Sequence, residues 1–223
     1  PDDRALPDAV RSILAKAGFD VVFPDRLETL CCGLAFESKG FPEQGNRKAR
    51  ELERALLAAS EHGALPILCD TSPCLQRMRK TLDPRLVMME PAEFIHDHCL
   101  DRLAFTKEPG PVALHVTCSS TKMGLAPKLE AVARRCAEQV VVPAGIGCCG
   151  VAGDRGFSHP ELNAAALAGL PGALPPDCKE GFSNSRTCEL GLTHLSGRPY
   201  RSIAFLVDRC TRALPPELRT PPI

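Results

Sequence analysis

The chain has no tryptophan and a single tyrosine, which leaves little material for a base-stacking platform or an aromatic sugar cleft. It also lacks net charge. Its 27 basic and 27 acidic residues balance and are spread without a basic block, so neither a nucleic-acid face nor an anionic membrane surface is indicated. No apolar run approaches the roughly 20 residues of a membrane-spanning helix, and the N-terminal region lacks the basic-then-apolar pattern of a secretory signal. The first residue is Pro1 rather than methionine, which leads us to expect a processed form or an excised piece. Apolar content of 44% and charged content of 24% are those of an ordinary globular chain, so disorder is not expected.

What the chain has in plenty is cysteine, 12 in 223 residues. A secreted disulfide framework belongs to short, loop-rich chains. This chain is long and rich in helical pattern, and its cysteines include two adjacent Cys-Cys pairs, which do not readily bridge to each other. A reduced, intracellular, metal-ligating use is the better reading.

The two pairs lie in matching stretches, Leu30-Cys31-Cys32-Gly33-Leu34-Ala35 and Gly147-Cys148-Cys149-Gly150-Val151-Ala152, each closed a few residues later by Gly-Phe. So much glycine argues against a helix interior, where each costs about 1 kcal/mol relative to alanine. Both stretches are expected to be loops whose backbone approaches something closely and points two thiols at it.

The flanking sequence repeats as well. Helical spacing predicts a helix over Pro7–Gly18 and a counterpart over Pro127–Ala137. Val21–Pro24 (VVFP) matches Val140–Pro143 (VVVP), and Thr71-Ser72-Pro73-Cys74 matches Ser185-Arg186-Thr187-Cys188. Short strands are expected at 20–23, 65–69, 86–89, 112–116, 139–142 and 181–183. Helices are expected at 44–62, 72–80, 91–98, 160–170, 184–196 and 202–212. The predicted class is α/β, with two pseudo-repeated halves, each a small, mainly parallel sheet flanked by helices. The first half spans 1–108, the second 109–213, and a proline-rich tail follows at 214–223. In such sheets ligands gather at the carboxyl ends of strands.

The second half holds Cys118, then 29 residues to Cys148-Cys149, then 38 to Cys188. Four thiolates from three loops is the ligand count of an iron–sulfur cluster or a tetrahedral zinc. The first half keeps Cys31, Cys32 and Cys74; the repeat offset of about 114–117 residues puts the counterpart of Cys118 at or before Pro1. Cys69, at a strand end, reads as core first and ligand second. Cys136 reads as a packing cysteine, and Cys99, Cys178 and Cys210 have no repeat partner. His115 reads as a structural strand histidine, with a ligand or supporting role as the alternative.

The doubled pattern of Cys, CCG and a final Cys resembles the cysteine-rich CCG domain. That domain occurs in a cysteine-rich component of heterodisulfide reductase, in the iron–sulfur subunits of glycolate oxidase and anaerobic glycerol-3-phosphate dehydrogenase, and in the C-terminal part of FAD-linked D-lactate dehydrogenases. The stretches HVTCSSTKMG, GCCGVAGDRGF and SNSRTCELG look most similar to the last group. The resemblance implies a [4Fe-4S] cluster on Cys118, Cys148, Cys149 and Cys188, with Cys31, Cys32 and Cys74 at a first site and backbone amides at Gly33 and Gly150 tuning it. It implies a parent protein with a flavin domain that holds FAD, a ferredoxin-like segment and a quinone or cytochrome acceptor. The expected location is cytoplasmic, including peripheral attachment at the inner face of a membrane. The chain by itself is not expected to turn over substrate. The family pattern ends in Cys-x-x-Cys, whereas Thr71 and Ser185 stand three residues before Cys74 and Cys188, so an ordinary cluster is expected rather than a non-cubane one. Alternatives are a docking module that binds zinc or no metal, and a thiol redox site of the heterodisulfide reductase type.

Overall fold

The structure is a computed structural model that describes residues 4–219. It is a mixed α/β protein, 52% helical and 13% strand, with small parallel sheets flanked by helices, as the sequence predicts. Contacts divide the chain into two compact units, one of residues 1–20 and 92–223, the other of residues 21–91. The repeat boundary expected at 108/109 therefore does not coincide with the boundary between units. Helix α1 (Leu6–Ala17) is a reason: proline in its first turn and Gly18 in the left-handed conformation at its end delimit it as predicted. Its buried stripe of Ala9, Ile13, Leu14 and Ala17 packs in the unit of the second repeat, against the helix at Ile203–Cys210, which is buried nearly all round.

Residues 21–91 contain the first CCG loop, a short helix α2 (Leu34–Ser38), the long amphipathic α3 (Pro42–Ala59), strand β1 (Ile67–Leu68), α4 (Ser72–Thr81) and strand β2 (Met88–Met89). Strands β1 and β2 pair in parallel, Ile67 with Met88 and Leu68 with Met89. The strand expected at 20–23 is absent. Those residues belong to no sheet, and Val21, Val22 and Phe23 are exposed. In the second repeat the matching segment pairs with a central strand, and among the described residues of 21–91 no strand takes that place, so the β propensity of Val-Val-Phe has no ladder to join.

After β2 the chain forms α5 (Pro91–Phe94), which runs on as a π-helical turn over Ile95–Cys99, then β3 (Leu103–Phe105) and β4 (Glu108–Leu114). Next come α6 (Cys118–Lys122), α7 (Ala126–Cys136) and β5 (Ala137–Val141). The second CCG loop leads to α8 (Arg155–Ser158), α9 (Pro160–Ala166) and α10 (Leu170–Ala173), so the single helix expected at 160–170 ends early. Strand β6 (Gly181–Ser183), α11 (Arg186–Ser196), β7 (Tyr200–Ser202), α12 (Ile203–Cys210) and β8 (Thr211–Ala213) complete the unit. Strands β3, β7 and β8 are not expected from sequence; they are three residues each, too short to show a period. The tail is partly ordered, since Pro216–Leu218 form a 3-10 turn; residues 220–223 lie outside the described range.

Four of these strands form one parallel sheet in the order β5-β4-β6-β7, while β3 and β8 pair antiparallel apart from it. The chain leaves β4 for β5 on one side, then crosses to β6 on the other. The topology therefore reverses at the carboxyl ends of β4 and β6, which is where a doubly wound sheet opens a crevice for a ligand. Cys118 follows β4, Cys148 and Cys149 follow β5, and Cys188 follows β6.

Candidate functional site

The second CCG loop turns at Gly150, whose φ of +72° a side chain would strain. A Cβ there would also meet Leu162 O and lie 2.8 Å from Asn163 Cα. This close approach lets the Asn163 side chain donate to the carbonyl of Cys149, and the Gly150 N–H donate to Cys148 Sγ at 3.4 Å. Cys188 is in the first turn of α11 beyond Ser185, where the helix N-terminus favours a thiolate. Its sulfur is 3.0 Å from that of Cys149. The hydrogen bond between them, strengthened by backbone N–H groups of the loop, holds the Cys149 thiol below its ordinary range and pushes that of Cys188 up. The two thiols are thus shifted in opposite directions by one contact. Both lie in an apolar cluster with Ala113, Val151, Leu167, Leu170, Leu174, Leu192 and Tyr200.

Cys118 and Cys148 are exposed, whereas Cys149 and Cys188 are buried. Thr117 caps α6 by accepting from the Ser120 N–H, so Cys118 is its first residue. Partial burial, and then the nearby charges of Cys148 and Cys149, raise the Cys118 thiol. The four sequence-predicted ligands of this repeat therefore share one corner of the sheet.

The first loop is built the same way. Gly33 has φ +83°, and a Cβ there would collide with the backbone of Gly45 on α3. Its N–H donates to Cys31 Sγ at 3.4 Å. Cys74, in the first turn of α4 beyond Thr71, hydrogen-bonds Cys32, so the Cys32 thiol is lowered and that of Cys74 raised. The carbonyl of Cys32 accepts from Arg77 Nε at 2.7 Å, and Arg77 Nη2 also donates to Asn46 Oδ1 at 3.2 Å. In the second repeat, Gly191 stands at the place of Arg77 and Asn163 at that of Asn46. A Cβ on Gly191 would lie 2.6 Å from Asn163 Nδ2, so there the asparagine reaches the loop directly.

All 12 cysteines are free thiols. Cys99, Cys136, Cys178 and Cys210 are buried, and Cys178 packs in the same apolar cluster as Cys149 and Cys188. Among the described residues, no group of three or more His, Cys, Asp or Glu side chains stands closely enough to hold a metal ion as arranged. The loops bring the sulfurs into neighbourhood, two by two, without converging them on one point. No protein-family model and no curated protein matches the chain.

The donor set itself suits a thiophilic group. Thiols brought together in pairs, N–H groups aimed at sulfur, and an apolar floor beneath are what a cluster or zinc demands of its ligands. Metal binding would release the thiol protons.

Sequence reasoning singled out His115 as a structural strand histidine, but missed the rest of the polar layer beside these thiols. His115 Nδ1 is 3.1 Å from Ser183 Oγ, and Asn184 Nδ2 donates to Ser120 Oγ at 2.6 Å. His115 directly follows β4, Ser120 lies on α6, Ser183 ends β6 and Asn184 follows it, and all four are buried; a run of small polar residues after each strand was the available signal. Burial holds His115 down to about 4, so it is neutral in the folded protein. An unfolded histidine titrates near 6.5. The unfolded chain therefore takes up a proton that the folded chain refuses as pH falls from 6.5 toward 4. Folding stability should drop over that window by roughly 2–3 kcal/mol at its lower end. Urea unfolding at pH 7 and pH 4.5 measures it, and His115→Gln should flatten the dependence.

Proposed function

We propose that this chain is an iron–sulfur electron-transfer segment, of the kind that serves an FAD-linked D-lactate or related 2-hydroxy-acid dehydrogenase and passes electrons from flavin toward a quinone or cytochrome. One observation carries the reading: two loops that share the CCG-hydrophobe-Ala pattern have the same backbone turn, the same N–H to sulfur bond and the same thiol pairing. Independent packing needs would not reproduce those three features twice.

When bound, an iron–sulfur cluster supplies one-electron redox chemistry. Cys118, Cys148, Cys149 and Cys188 would hold it in the second repeat. The Gly150 N–H would then hydrogen-bond a ligating sulfur and raise its potential, as N–H to sulfur bonds do. The apolar cluster under Cys149 and Cys188 keeps water from the inner side, while exposed Cys118 and Cys148 leave the outer side at the surface for a redox partner. No helix of the described residues is long and apolar enough to cross a membrane, so attachment of the parent protein to one would be peripheral or through other segments. The flavin domain, its FAD, the ferredoxin-like segment and the acceptor belong to that parent protein.

Anaerobic reconstitution with iron and sulfide, followed by iron counting and electron paramagnetic resonance of the reduced sample, tests the proposal. A brown protein with a cluster signal is expected; a colourless protein that takes up only zinc overturns it. The 3.0 Å approach of Cys149 and Cys188 favours one second reading, a thiol–disulfide site. There the two thiols would give two electrons and two protons to an incoming disulfide and close a bond between them. Under that reading, mild oxidation of the metal-free chain should consume the Cys149 and Cys188 thiols together, and reconstitution with iron and sulfide should give no cluster signal.

A further inference from the structure

The first repeat lacks a residue matching Cys118 within residues 1–223, yet it contains a cysteine that the second repeat does not. Aligned on their last cysteine, Cys69-Asp70-Thr71-Ser72-Pro73-Cys74 lies over Ser183-Asn184-Ser185-Arg186-Thr187-Cys188. The structure keeps this alignment. Strand β1 pairs with β2 in parallel as β6 pairs with β7, and Cys69 directly follows β1 as Ser183 ends β6. The Cys69 N–H donates to Met89 O at 2.9 Å, which continues the ladder and fixes the residue at the sheet end.

The second repeat shows where a side chain at this position points. Ser183 Oγ lies 3.1 Å from His115 Nδ1, on the residue after β4, so the side chain is turned toward the strand that delivers Cys118. Among the described residues of 21–91 no strand occupies that place, and as arranged the four sulfurs of this repeat do not yet converge on one point. Cys69 is half-buried, its Sγ 3.6 Å from Thr71 O. It lies within electrostatic reach of Cys32, and Cys74 within reach of Cys31, Cys32 and Cys69.

We propose that Cys69 completes a four-thiolate metal site with Cys31, Cys32 and Cys74, so that the first repeat holds a thiophilic divalent ion or cubane cluster with residues 21–91 alone. The proposal rests on the reading that the CCG loops bind metal, and adds the identity of the fourth ligand. On loading, the thiols lose their protons to solvent and the hydrogen bond between Cys32 and Cys74 gives way to metal–sulfur bonds. The site gains a ligand from its own strand in place of one from a neighbouring strand. This explains why a cysteine stands where the second repeat has serine.

The full-length chain carrying Cys118→Ser, Cys149→Ser and Cys188→Ser silences the second site, and cobalt(II) added under anaerobic conditions then reports the first by its thiolate charge-transfer band. Adding Cys69→Ser, which installs the residue found at 183, should lower that absorbance per bound ion by about a quarter, one thiolate in four, and weaken binding at least tenfold. Cys74→Ser should do as much or more. If Cys69→Ser leaves both band and affinity unchanged while Cys74→Ser abolishes them, the proposal is overturned and the metal reading of the loop stands. If no cobalt binds even with all four cysteines present, the metal reading of this loop falls, and the proposal with it. A second measurement needs no substitution at 69: zinc should protect Cys69 from alkylation in parallel with Cys31 and Cys74. Equal labelling of Cys69 with and without zinc counts against its ligation.

Discussion

If the proposed clusters form, Cys149→Ser should remove about half of the iron that the reconstituted chain takes up, together with the second-repeat signal in electron paramagnetic resonance, because under that proposal each repeat has its own ligand set. Among the candidate ligands Cys149 is the most deeply engaged. Its sulfur is 3.0 Å from that of Cys188, loop N–H groups and this bond favour its thiolate, and its carbonyl is held by Asn163. A serine hydroxyl keeps the volume but remains protonated at neutral pH and is a poor ligand for iron or zinc. The apolar residues around it give water no easy route to substitute. Cys99→Ser and Cys136→Ser, at buried positions apart from either loop, serve as controls and should leave iron content unchanged. Iron analysis and spectra that are the same for Cys149→Ser and the parent chain would refute this ligand set.

Gly150→Ala should be the most damaging single substitution for folding in the second repeat, costing about 3 kcal/mol. Two separate effects add. An L-residue in the left-handed region costs about 1–2 kcal/mol, and Gly150 has φ +72°. A new Cβ would also be driven against Leu162 O and Asn163 Cα, and forced overpacking of this kind costs about 1–3 kcal/mol. For a chain of this size the loss corresponds to a fall in Tm of about 10 °C. Gly153→Ala separates the two contributions, because Gly153 has φ +82° but nothing within 4 Å of its would-be Cβ. It should cost only the conformational share. Equal Tm values for the two variants would show that the close approach to α9 contributes nothing. Gly150→Ala should also misplace the Cys148 and Cys149 sulfurs, so its iron uptake should fall more than that of Gly153→Ala.

The two effects share a cause. The glycine that brings the loop onto α9 also allows an asparagine to fix the Cys149 carbonyl, and a similar glycine contact in the first repeat brings its loop against Gly45. There, Arg77 performs the fixing through Cys32 O, assisted by Asn46 and by its ion pair with Glu37. One backbone geometry is thus secured by two different side-chain solutions.

The sequence by itself determined the α/β class, most helix positions, the repeat, and the candidate ligands at the ends of strands. Those features are local, carried by period, by proline and glycine at helix ends, and by CCG spelled out twice. Only the tertiary structure decided the rest. It put α1 in the unit of the second repeat, because its apolar stripe is covered by α12. It left Val21–Phe23 without a ladder, because strand formation needs a partner as well as propensity. It added β3, β7 and β8, whose three-residue lengths are too short to leave a pattern. It also chose which thiols pair, Cys149 with Cys188 and Cys32 with Cys74. Spacing along a chain names the ligands available, but the direction in which each strand end points its side chain decides which of them meet.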